Sequence, residues 1–300
     1  MSPIAQTQSA SEPGAAIGRM GPVGAERPVV LIAQTVYDAS GIVDEVDGAF
    51  LQGDGPRRMM DAGRAGWLPV IGPSASLDPM TQRLGPPIAL PGKIVCIGLN
   101  YHEHARETGA QAPGEPVVFM KDPGCVVGAF DEVLIPRRST KTDWEVELAV
   151  VIGRTARYLD TPETAAGHIA GYCISNDVSE REFQLERGGQ WDKGKSCETF
   201  NPLGPWFVPA TEVADVQALD MHLWVNGVKR QASSTADMIF PVHHLVWYLS
   251  QFMVLRPGDV INTGTPAGVA LGLPDTPYLR SGDVMELSIT GLGSQRQRVR

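Results

Sequence analysis

The sequence predicts an α+β protein, mainly β, in which a larger domain follows a small N-terminal one. From Lys93 onward, short apolar runs alternate with turns that contain Pro and Gly, while few segments have helical character. Many strands with scattered helices indicate a mixed, mainly β domain and not a βαβ array. The chain has 300 residues, 43% of them hydrophobic and 20% charged, which is enough for both domains.

The first 92 residues divide into three predicted parts. Residues 1–26 are small, polar and rich in Pro and Gly, so we expect a flexible tail. Residues 27–84 carry two strand candidates, PVVLIAQTVYDA and GAFLQG, and a possible helix, PRRMMDAGRAG, which together predict a small N-terminal domain. The Pro-rich segment 85–92 is predicted to be a linker.

Residues 93–300 form the predicted larger domain. Its strand candidates, in chain order, are KIVCIGLNY, PVVFMK, EVLIP, WEVELAVVIG, IAGYCISND, MHLWVNG, DVINTG and DVMELSI. The clearest helix runs from His243 to Leu255 and is ended by the sequence RPGD that follows it.

Charge and cysteine usage argue against several classes of protein. The formal net charge is −9 and no Lys/Arg-rich face stands out, so we expect a small-molecule partner and no nucleic acid. The four cysteines form no C-x-x-C pair, which favours reduced thiols in a cytoplasmic protein. The N-terminus lacks a signal-peptide pattern, and no apolar run approaches the ~20 residues that span a bilayer, so no membrane association is expected.

Two glutamates interrupt the apolar strand candidate TDWEVELAVVIG. Because side chains alternate between the faces of a strand, Glu145 and Glu147 share one face with apolar residues, while the other face is apolar throughout. Both faces are therefore predicted to be buried. Two carboxylates about 7 Å apart on a buried face repel each other and lose hydration, and a bound cation is the simplest compensation.

Asp177 lies at the end of the strand candidate GYCISND, where it can complete an oxygen-ligand set with both glutamates. Three carboxylates plus waters suit Mg²⁺ or Mn²⁺, ions that keep open positions for a chelating substrate. The alternative is that Glu-x-Glu lies on a solvated face of the strand, since glutamate is rarely buried unpaired. The apolar residues on both faces favour the metal site.

A second candidate site lies in IGLNYHEHARETG, which begins as a strand and turns helical. His104 and Glu107 are three residues apart, close enough on one helix face to interact. A carboxylate that holds an imidazole raises its basicity and fixes its orientation, as a general base acting on water requires. The alternative is an ordinary surface pair.

Lysines and a threonine-rich turn complete the candidates. Lys121 ends the run FMK, and Lys193 and Lys195 lie in a Gly-containing loop, where a lysine can neutralise a carboxylate or a developing enolate, or is simply solvated. The segment Thr263–Pro266 can form an anion-binding concavity or only a turn. The motif GGQWDKGKS has P-loop spacing but lacks the preceding buried strand and the following helix, so nucleotide binding is not predicted.

Taken together, these segments resemble the fumarylacetoacetate hydrolase family. The agreement runs from about Lys93 to Val299 and includes, in one order, the motifs GLNYxxHxxE, FMK, DWExELAVVIG, NDxSxRxFQ, KGKSxxTFxPLGPW and TGTPAGV. The segments GRMGPVGAERPVVL and YDASGIVDEVDG also resemble the small N-terminal domain of the branch that includes hydrolases of 2,4-diketo-3-deoxy sugar acids.

The resemblance implies a mixed β-sandwich roll, a homodimer, and one divalent cation per subunit, Mg²⁺ or Mn²⁺. The implied metal ligands are Glu145, Glu147 and Asp177. The implied catalytic residues are His104, Glu107 and Lys195. The implied substrate-binding residues are Lys121, Arg181, Gln184 and Thr265, the last at a substrate-carboxylate contact. Glu198 departs from the aspartate of many members.

The activity implied by the resemblance is hydrolysis of a C–C bond in a 2,4-diketo acid of the acylpyruvate type, such as a 2,4-diketo-3-deoxy sugar acid. The products are pyruvate and a second acid. The same site could serve an oxaloacetate-type decarboxylase, or a 2-oxo acid isomerase or hydratase, because each reaction passes through an enolate. The pair His104 and Glu107 favours a hydrolase, since a decarboxylase has no water to activate. A non-catalytic binding protein is the remaining alternative.

Overall fold

The computed structural model describes residues 12–78, 81–107, 109 and 111–300. The strands are β1 Ala15–Met20, β2 Arg27–Ile32, β3 Thr35–Asp38, β4 Val70–Pro73, β5 Ile94–Gly98, β6 Val117–Lys121, β7 Val126–Gly128, β8 Thr142–Asp143, β9 Val146–Ile152, β10 Ile169–Asn176, β11 Ser179–Glu180, β12 Asn201–Leu203, β13 Val208–Pro209, β14 Asp220–Val225, β15 Val228–Ser234, β16 Val260–Asn262, β17 Val284–Ile289 and β18 Gly293–Arg298. The α-helices are α1 Gly48–Gln52, α2 Gly55–Arg64, α3 His102–Glu107, α4 Asp192–Lys195 and α5 Val242–Ser250. The 3₁₀ helices are Ser74–Ser76, Pro123–Cys125, Pro162–His168, Ala210–Glu212, Thr235–Asp237 and Ala270–Gly272, and Glu182–Glu186 is a π-helical turn.

An eight-stranded mixed sheet forms the largest element of the fold. Seven of its strands follow the order β6-β5-β16-β9-β10-β12-β7, and β13 pairs with β10 beside this path. β16 is parallel to β5 and β12 is parallel to β7, whereas β9 pairs antiparallel with both β10 and β16. β9 is therefore an interior strand with hydrogen-bonded neighbours on both sides.

Residues of β9 alternate between two hydrophobic clusters, one on each face of this sheet. Leu148 belongs to a cluster with Leu223 of β14 and Leu245 of α5. Ala149 belongs to the other cluster, which includes Met59 of α2. β9 is buried along its whole length, so the predicted burial of both of its faces is confirmed.

Two four-stranded sheets and one short pair complete the β structure. Their strand orders are β1-β2-β3-β4, β15-β14-β17-β18 and β11-β8. Strands thus outnumber the scattered short helices, and the predicted α+β, mainly β fold class is confirmed.

The predicted N-terminal tail is wrong in the part that the structure describes. Residues 15–20 form β1, which pairs with β2 and is buried along its length. Ile17 exchanges two backbone hydrogen bonds of 2.8 Å with Phe207, and a Cβ added at Gly18 would lie 2.8 Å from the ring of Trp206. Partners from a distant part of the chain order this segment, which its small residues alone do not reveal. Residues 1–11 of the predicted tail lie outside the described residues.

Two strand predictions also fail. GAFLQG contains helix α1, because Asp47 caps it and accepts a hydrogen bond from the Phe50 N–H at 2.9 Å. In the fully described segment EVLIP, Val133 forms an isolated bridge with Val299 and no strand is present.

The two predicted helices are present with adjusted ends. PRRMMDAGRAG contains most of α2, which begins at Gly55 with a proline next to it and ends at Arg64. The helix predicted from His243 to Leu255 is α5, which begins at Val242 and ends earlier, at Ser250. Within the described ranges, no helix has both the length and the apolar character that a membrane span requires.

Candidate active site

Three carboxylates meet at one end of the β9–β10 pair. The antiparallel register places Ser175 opposite Glu147, so the residues that follow β10 lie beside those that precede β9. The Asp177 N–H donates to the Glu145 carbonyl oxygen at 2.9 Å and joins the two segments. The three carboxylates offer oxygens that all lie within 4.8 Å of one another, and all three residues are buried. The fold therefore brings together the three predicted metal ligands.

Three buried cations surround these carboxylates. Lys195 Nζ donates to Glu145 Oε2 at 2.6 Å and to Asp177 Oδ2 at 2.9 Å. Lys121 donates to the other carboxylate oxygen of Asp177. Arg181 Nη2 donates to Glu145 Oε1 at 2.7 Å. Buried charges are tolerated when they are paired and hydrogen-bonded in this way.

The two glutamates have opposite pKa shifts although both are buried. Burial raises the pKa of Glu145, but the positive charges of Lys195 and Arg181 outweigh burial and lower this pKa to about 2. Burial also raises the pKa of Glu147, and the negative charges of Asp177 and Glu145 raise it further, well above the usual range. A backbone N–H that donates to Glu147 at 2.8 Å lowers this pKa only in part.

This donor set fits a hard divalent cation. Three carboxylate groups supply the oxygen ligands that Mg²⁺ and Mn²⁺ prefer. The ammonium of Lys195 already bridges two of the carboxylates, whereas no lysine or arginine of the described residues forms an ion pair with Glu147. A divalent ion held by Glu145, Glu147 and Asp177 would supply positive charge where Glu147 lacks it.

His104 and Glu107 form a pair on α3. His104 Nδ1 lies 3.4 Å from Glu107 Oε2. The Gly268 N–H donates to both oxygens of Glu107, at 3.0 and 3.1 Å, and holds the carboxylate in place. A Cβ added at Gly272 would lie 2.4 Å from Glu107 Cδ, so this loop packs closely against the carboxylate. His104 is only 8% exposed, which separates this pair from an ordinary surface pair.

Asp143 is a buried site residue that the sequence analysis did not single out. Its Oδ1 accepts hydrogen bonds from the N–H groups of Trp144 at 2.8 Å and Ala270 at 2.7 Å. Its Oδ2 accepts from the Leu271 N–H at 3.0 Å and from Arg181 Nε at 2.9 Å. Asp143 thereby ties the loop at residues 270–271 to the arginine that pairs with the metal-ligand candidates. Asp143 lies two residues before Glu145, so strand alternation places it on the same face as both glutamates. The same pattern could therefore have indicated Asp143.

Gln231 of β15 is a second residue that the sequence analysis missed. Its Oε1 accepts from the Val146 N–H at 3.0 Å, and its Nε2 donates to Thr265 Oγ1 and the Pro266 carbonyl oxygen, each at 2.8 Å. The Thr265 hydroxyl donates to the Val146 carbonyl oxygen at 3.0 Å. Gln231 thus joins β9 to the turn predicted to bind a substrate carboxylate. No local pattern indicates this role, because β15 belongs to a different sheet.

A cavity of about 210 Å³ connects these groups. Seven of the predicted site residues line it: His104, Glu145, Glu147, Arg181, Gln184, Lys195 and Thr265. Gln184 Oε1 accepts from Arg181 Nη1 at 3.0 Å, which orients both side chains. The remaining three lie behind this lining: Glu107 holds His104, and Lys121 and Asp177 pair with each other, with side chains at most 1% exposed.

A mainly β fold with carboxylates, a lysine and a His–Glu pair around one cavity is the arrangement of an enzyme site. The family model described as the C-terminal domain of fumarylacetoacetate (FAA) hydrolase matches residues 93–300. The chain therefore belongs to the fumarylacetoacetate hydrolase family. It is 45% identical over 284 residues to a protein of Burkholderia lata that is provisionally named a hydrolase, an alignment that covers 94% of this chain and 98% of that protein.

Solved structures share the fold over almost the whole chain. The fumarylacetoacetate hydrolase of Exiguobacterium antarcticum has a TM-score of 0.83 and 34% identity, with 95% of this chain and 99% of that chain covered. A 2-hydroxyhepta-2,4-diene-1,7-dioate isomerase of Mycobacterium marinum has a TM-score of 0.71 and 30% identity, covering 95% and 97%. A maleylpyruvate hydrolase of Sphingobium sp. SYK-6, solved with manganese(II) and pyruvate, has a TM-score of 0.75 and 28% identity, covering 95% and 98%.

Proposed function

We propose that the protein is a divalent-metal-dependent hydrolase that cleaves a C–C bond of a 2,4-dioxo acid of the acylpyruvate type. The products are pyruvate and a second acid. The observation that carries the proposal is the convergence on one cavity of three buried carboxylates, Lys195 and the pair formed by His104 and Glu107. The similar maleylpyruvate hydrolase that was solved with manganese(II) and pyruvate supports the same chemistry. The sequence resemblance suggests a 2,4-diketo-3-deoxy sugar acid as one such substrate.

Charge stabilisation is the first task of the site. Glu145, Glu147 and Asp177 would hold Mg²⁺ or Mn²⁺, which would supply positive charge to stabilise the enolate of the pyruvate part. Burial lowers the pKa of Lys195, but Asp177 and Glu145 outweigh burial and raise it above the usual range, so the side chain keeps its proton. Its ammonium then offsets the negative charge that develops on the pyruvate part as the C–C bond breaks.

Water activation is the second task, and His104 performs it. Glu107 faces Nδ1, so this nitrogen carries a proton and Nε2 is the atom that accepts a proton from water. The resulting hydroxide attacks C4, the bond between C3 and C4 breaks with its electron pair on C3, and the proton returns to C3. The reaction consumes one dioxo acid and one water and produces pyruvate and one carboxylic acid.

A second candidate activity uses the same carboxylates and lysine. The similar isomerase from Mycobacterium marinum favours isomerisation of a 2-oxo acid or its enol as the alternative, with hydration and oxaloacetate-type decarboxylation in the same group. These reactions stabilise an enolate but need no hydroxide that attacks a carbonyl carbon. The buried His104 and Glu107 pair favours hydrolysis over them.

The test measures pyruvate release from acetylpyruvate and, separately, from oxaloacetate, with Mg²⁺ or Mn²⁺ and then with EDTA. Metal-dependent release from acetylpyruvate at the higher kcat/KM supports the hydrolase. His104→Ala should abolish this hydrolysis and spare any oxaloacetate decarboxylation. His102→Ala, an exposed histidine on the same helix, is the matched control. Turnover of oxaloacetate alone, or of neither acid, rejects the proposal. The expected homodimer stays a prediction, which light scattering of the purified protein measures.

A further inference from the structure

The cavity has a charged, buried floor and an apolar rim. Glu145, Glu147 and Lys195 on the floor are at most 5% exposed. Five lining residues are half-buried or exposed: Gly98, which has no side chain, and Leu99, Leu185, Trp191 and Leu271, and we call the last four the apolar rim. Because exposure increases from floor to rim, a substrate whose reacting end lies among the floor charges has its other end at the apolar rim.

Fixed contacts hold the apolar rim in shape. The Trp191 ring packs edge-on against Phe119, with 5.3 Å between ring centroids. It also occupies the space beside Gly98, where an added Cβ would lie 2.6 Å from the indole. The Leu271 N–H is held by Asp143 at 3.0 Å. A rim that is organised before binding loses little conformational freedom when a ligand covers it.

The lysine and arginine that line the cavity already form ion pairs at its floor. Among the described residues that line it, the lysine and arginine side chains are Lys195 and Arg181. Arg181 forms ion pairs with Asp143 and Glu145, at 2.9 and 2.7 Å, and Lys195 pairs with Glu145 at 2.6 Å. The apolar rim contains no charged side chain, and its one polar side-chain group is the indole N–H of Trp191.

Charges next to the rim are also paired with each other. Leu185 is 44% exposed, although burial is the rule for leucine. Its chain neighbour Glu186 pairs with Lys141, and Arg187 pairs with Glu182. Lys193, two residues from Trp191, donates to the Arg187 carbonyl oxygen at 2.8 Å and does not line the cavity. A second carboxylate on the substrate would therefore meet no cationic side chain within the apolar rim itself. A chain of hydroxyl groups would lose water and find few partners.

We propose that the acyl end of the substrate is an uncharged hydrocarbon group. This inference rests on the proposed function, which identifies the other end of the substrate as the reacting 2,4-dioxo acid. The protein then acts on alkanoyl- or aroylpyruvates in preference to dicarboxylic or polyhydroxylated 2,4-dioxo acids. The sugar-acid substrate suggested by the resemblance is disfavoured, because its hydroxyl-bearing end would cover three leucines and a tryptophan.

The first experiment compares kcat/KM for acetyl-, butanoyl-, pentanoyl-, hexanoyl- and benzoylpyruvate with that for succinylpyruvate, whose acyl chain ends in a carboxylate. We expect kcat/KM to rise about fourfold for each methylene that reaches the apolar rim. Succinylpyruvate should be at least about tenfold poorer than pentanoylpyruvate, because its second carboxylate loses water without gaining a partner. If kcat/KM does not depend on chain length, or if succinylpyruvate is preferred, the hydrocarbon specificity is rejected. Pyruvate release in the same assay would still support the hydrolase.

A variant pair assigns the selectivity to the rim. Leu185→Lys places a cation there and should shift the ratio of kcat/KM for hexanoylpyruvate and succinylpyruvate at least about tenfold toward the dicarboxylate. Leu90→Lys is the control, since Leu90 is 93% exposed and does not line the cavity. Thermal unfolding shows that both variants are folded. An unchanged ratio in a folded Leu185→Lys variant contradicts the assignment.

Binding separates failure of this proposal from failure of the hydrolase. Calorimetric titration with Mn²⁺ present compares 2-oxobutanoate, 2-oxohexanoate and 2-oxooctanoate with 2-oxoadipate. Tighter binding of the longer alkyl acids supports the hydrocarbon specificity even if no acylpyruvate releases pyruvate, a result that would reject only the hydrolase. Tighter binding of 2-oxoadipate, equal binding of all four acids, or no binding overturns the specificity.

Discussion

Replacing Asp143 by asparagine tests whether this buried carboxylate holds the active site together. The wild-type side chain accepts four hydrogen bonds, two at each oxygen, from three backbone N–H groups and Arg181. An asparagine keeps the shape but has one oxygen that accepts and one NH₂ group that only donates. In either orientation of the amide, two of the four donors therefore face another donor.

The magnitude follows from these contacts. Each buried donor left without an acceptor costs about 1–3 kcal/mol. Removing one partner of a buried ion pair costs about 3–5 kcal/mol, although Arg181 keeps its contact with Glu145 at 2.7 Å. We expect Asp143→Asn to lower the free energy of unfolding by about 3–5 kcal/mol and the Tm by about 6–10 °C. Because the loop that contacts Asp143 also holds Glu107, kcat/KM for an acylpyruvate should fall about 100-fold.

The assays are thermal unfolding and pyruvate release, with Asp259→Asn as the matched control. Asp259 is also buried and pairs with Lys93, but one oxygen, Oδ2, accepts from both Lys93 and the Arg256 N–H. An asparagine there can keep its oxygen toward these donors, so a smaller loss of Tm and unchanged kcat/KM are expected. If Asp143→Asn lowers the Tm no more than Asp259→Asn does and leaves kcat/KM unchanged, Asp143 does not organise the site.

Three further predictions concern the carboxylates and the loop beside them. Glu147→Gln should raise the Tm of metal-free protein at neutral pH and remove stabilisation by Mn²⁺ in a thermal-shift titration. Because folding raises the pKa of Glu147, this side chain lowers the stability of the folded protein once the pH exceeds the usual glutamate pKa. Below that pH the Tm gain of Glu147→Gln should disappear. Lys195→Met should lower the Tm of metal-free protein because two buried carboxylates lose their shared partner, and Mn²⁺ should recover more of the Tm than in wild type; equal recovery would contradict this. Gly272→Ala should reduce hydrolysis about 100-fold by displacing Glu107, whereas Gly167→Ala, with no atom near the added Cβ, should not; full activity of Gly272→Ala would show that the loop adapts.

Features that depend on neighbouring residues in the chain could be predicted from the sequence, whereas features that depend on partners from distant segments could not. Glu145 and Glu147 stand out because strand alternation is a property of consecutive residues. The His104 and Glu107 pair follows in the same way from the spacing of a helix. β1 was missed because its order depends on β2 and Phe207, and Gln231 was missed because its partners lie on β9 and in the turn after β16.

The sequence by itself determined the fold class, the buried strand with two glutamates, and the family motifs, since these depend on periodicity and on residue order. Tertiary structure alone decided which groups meet. Strand register set Asp177 beside Glu145. Lys195 of α4 and Arg181 at the start of the π-helical turn reach the same carboxylates, and the leucines of three segments form one apolar rim. The physical reason is that ion pairing and cavity shape depend on distances in space, which residues far apart in the chain acquire only when the sheets pack.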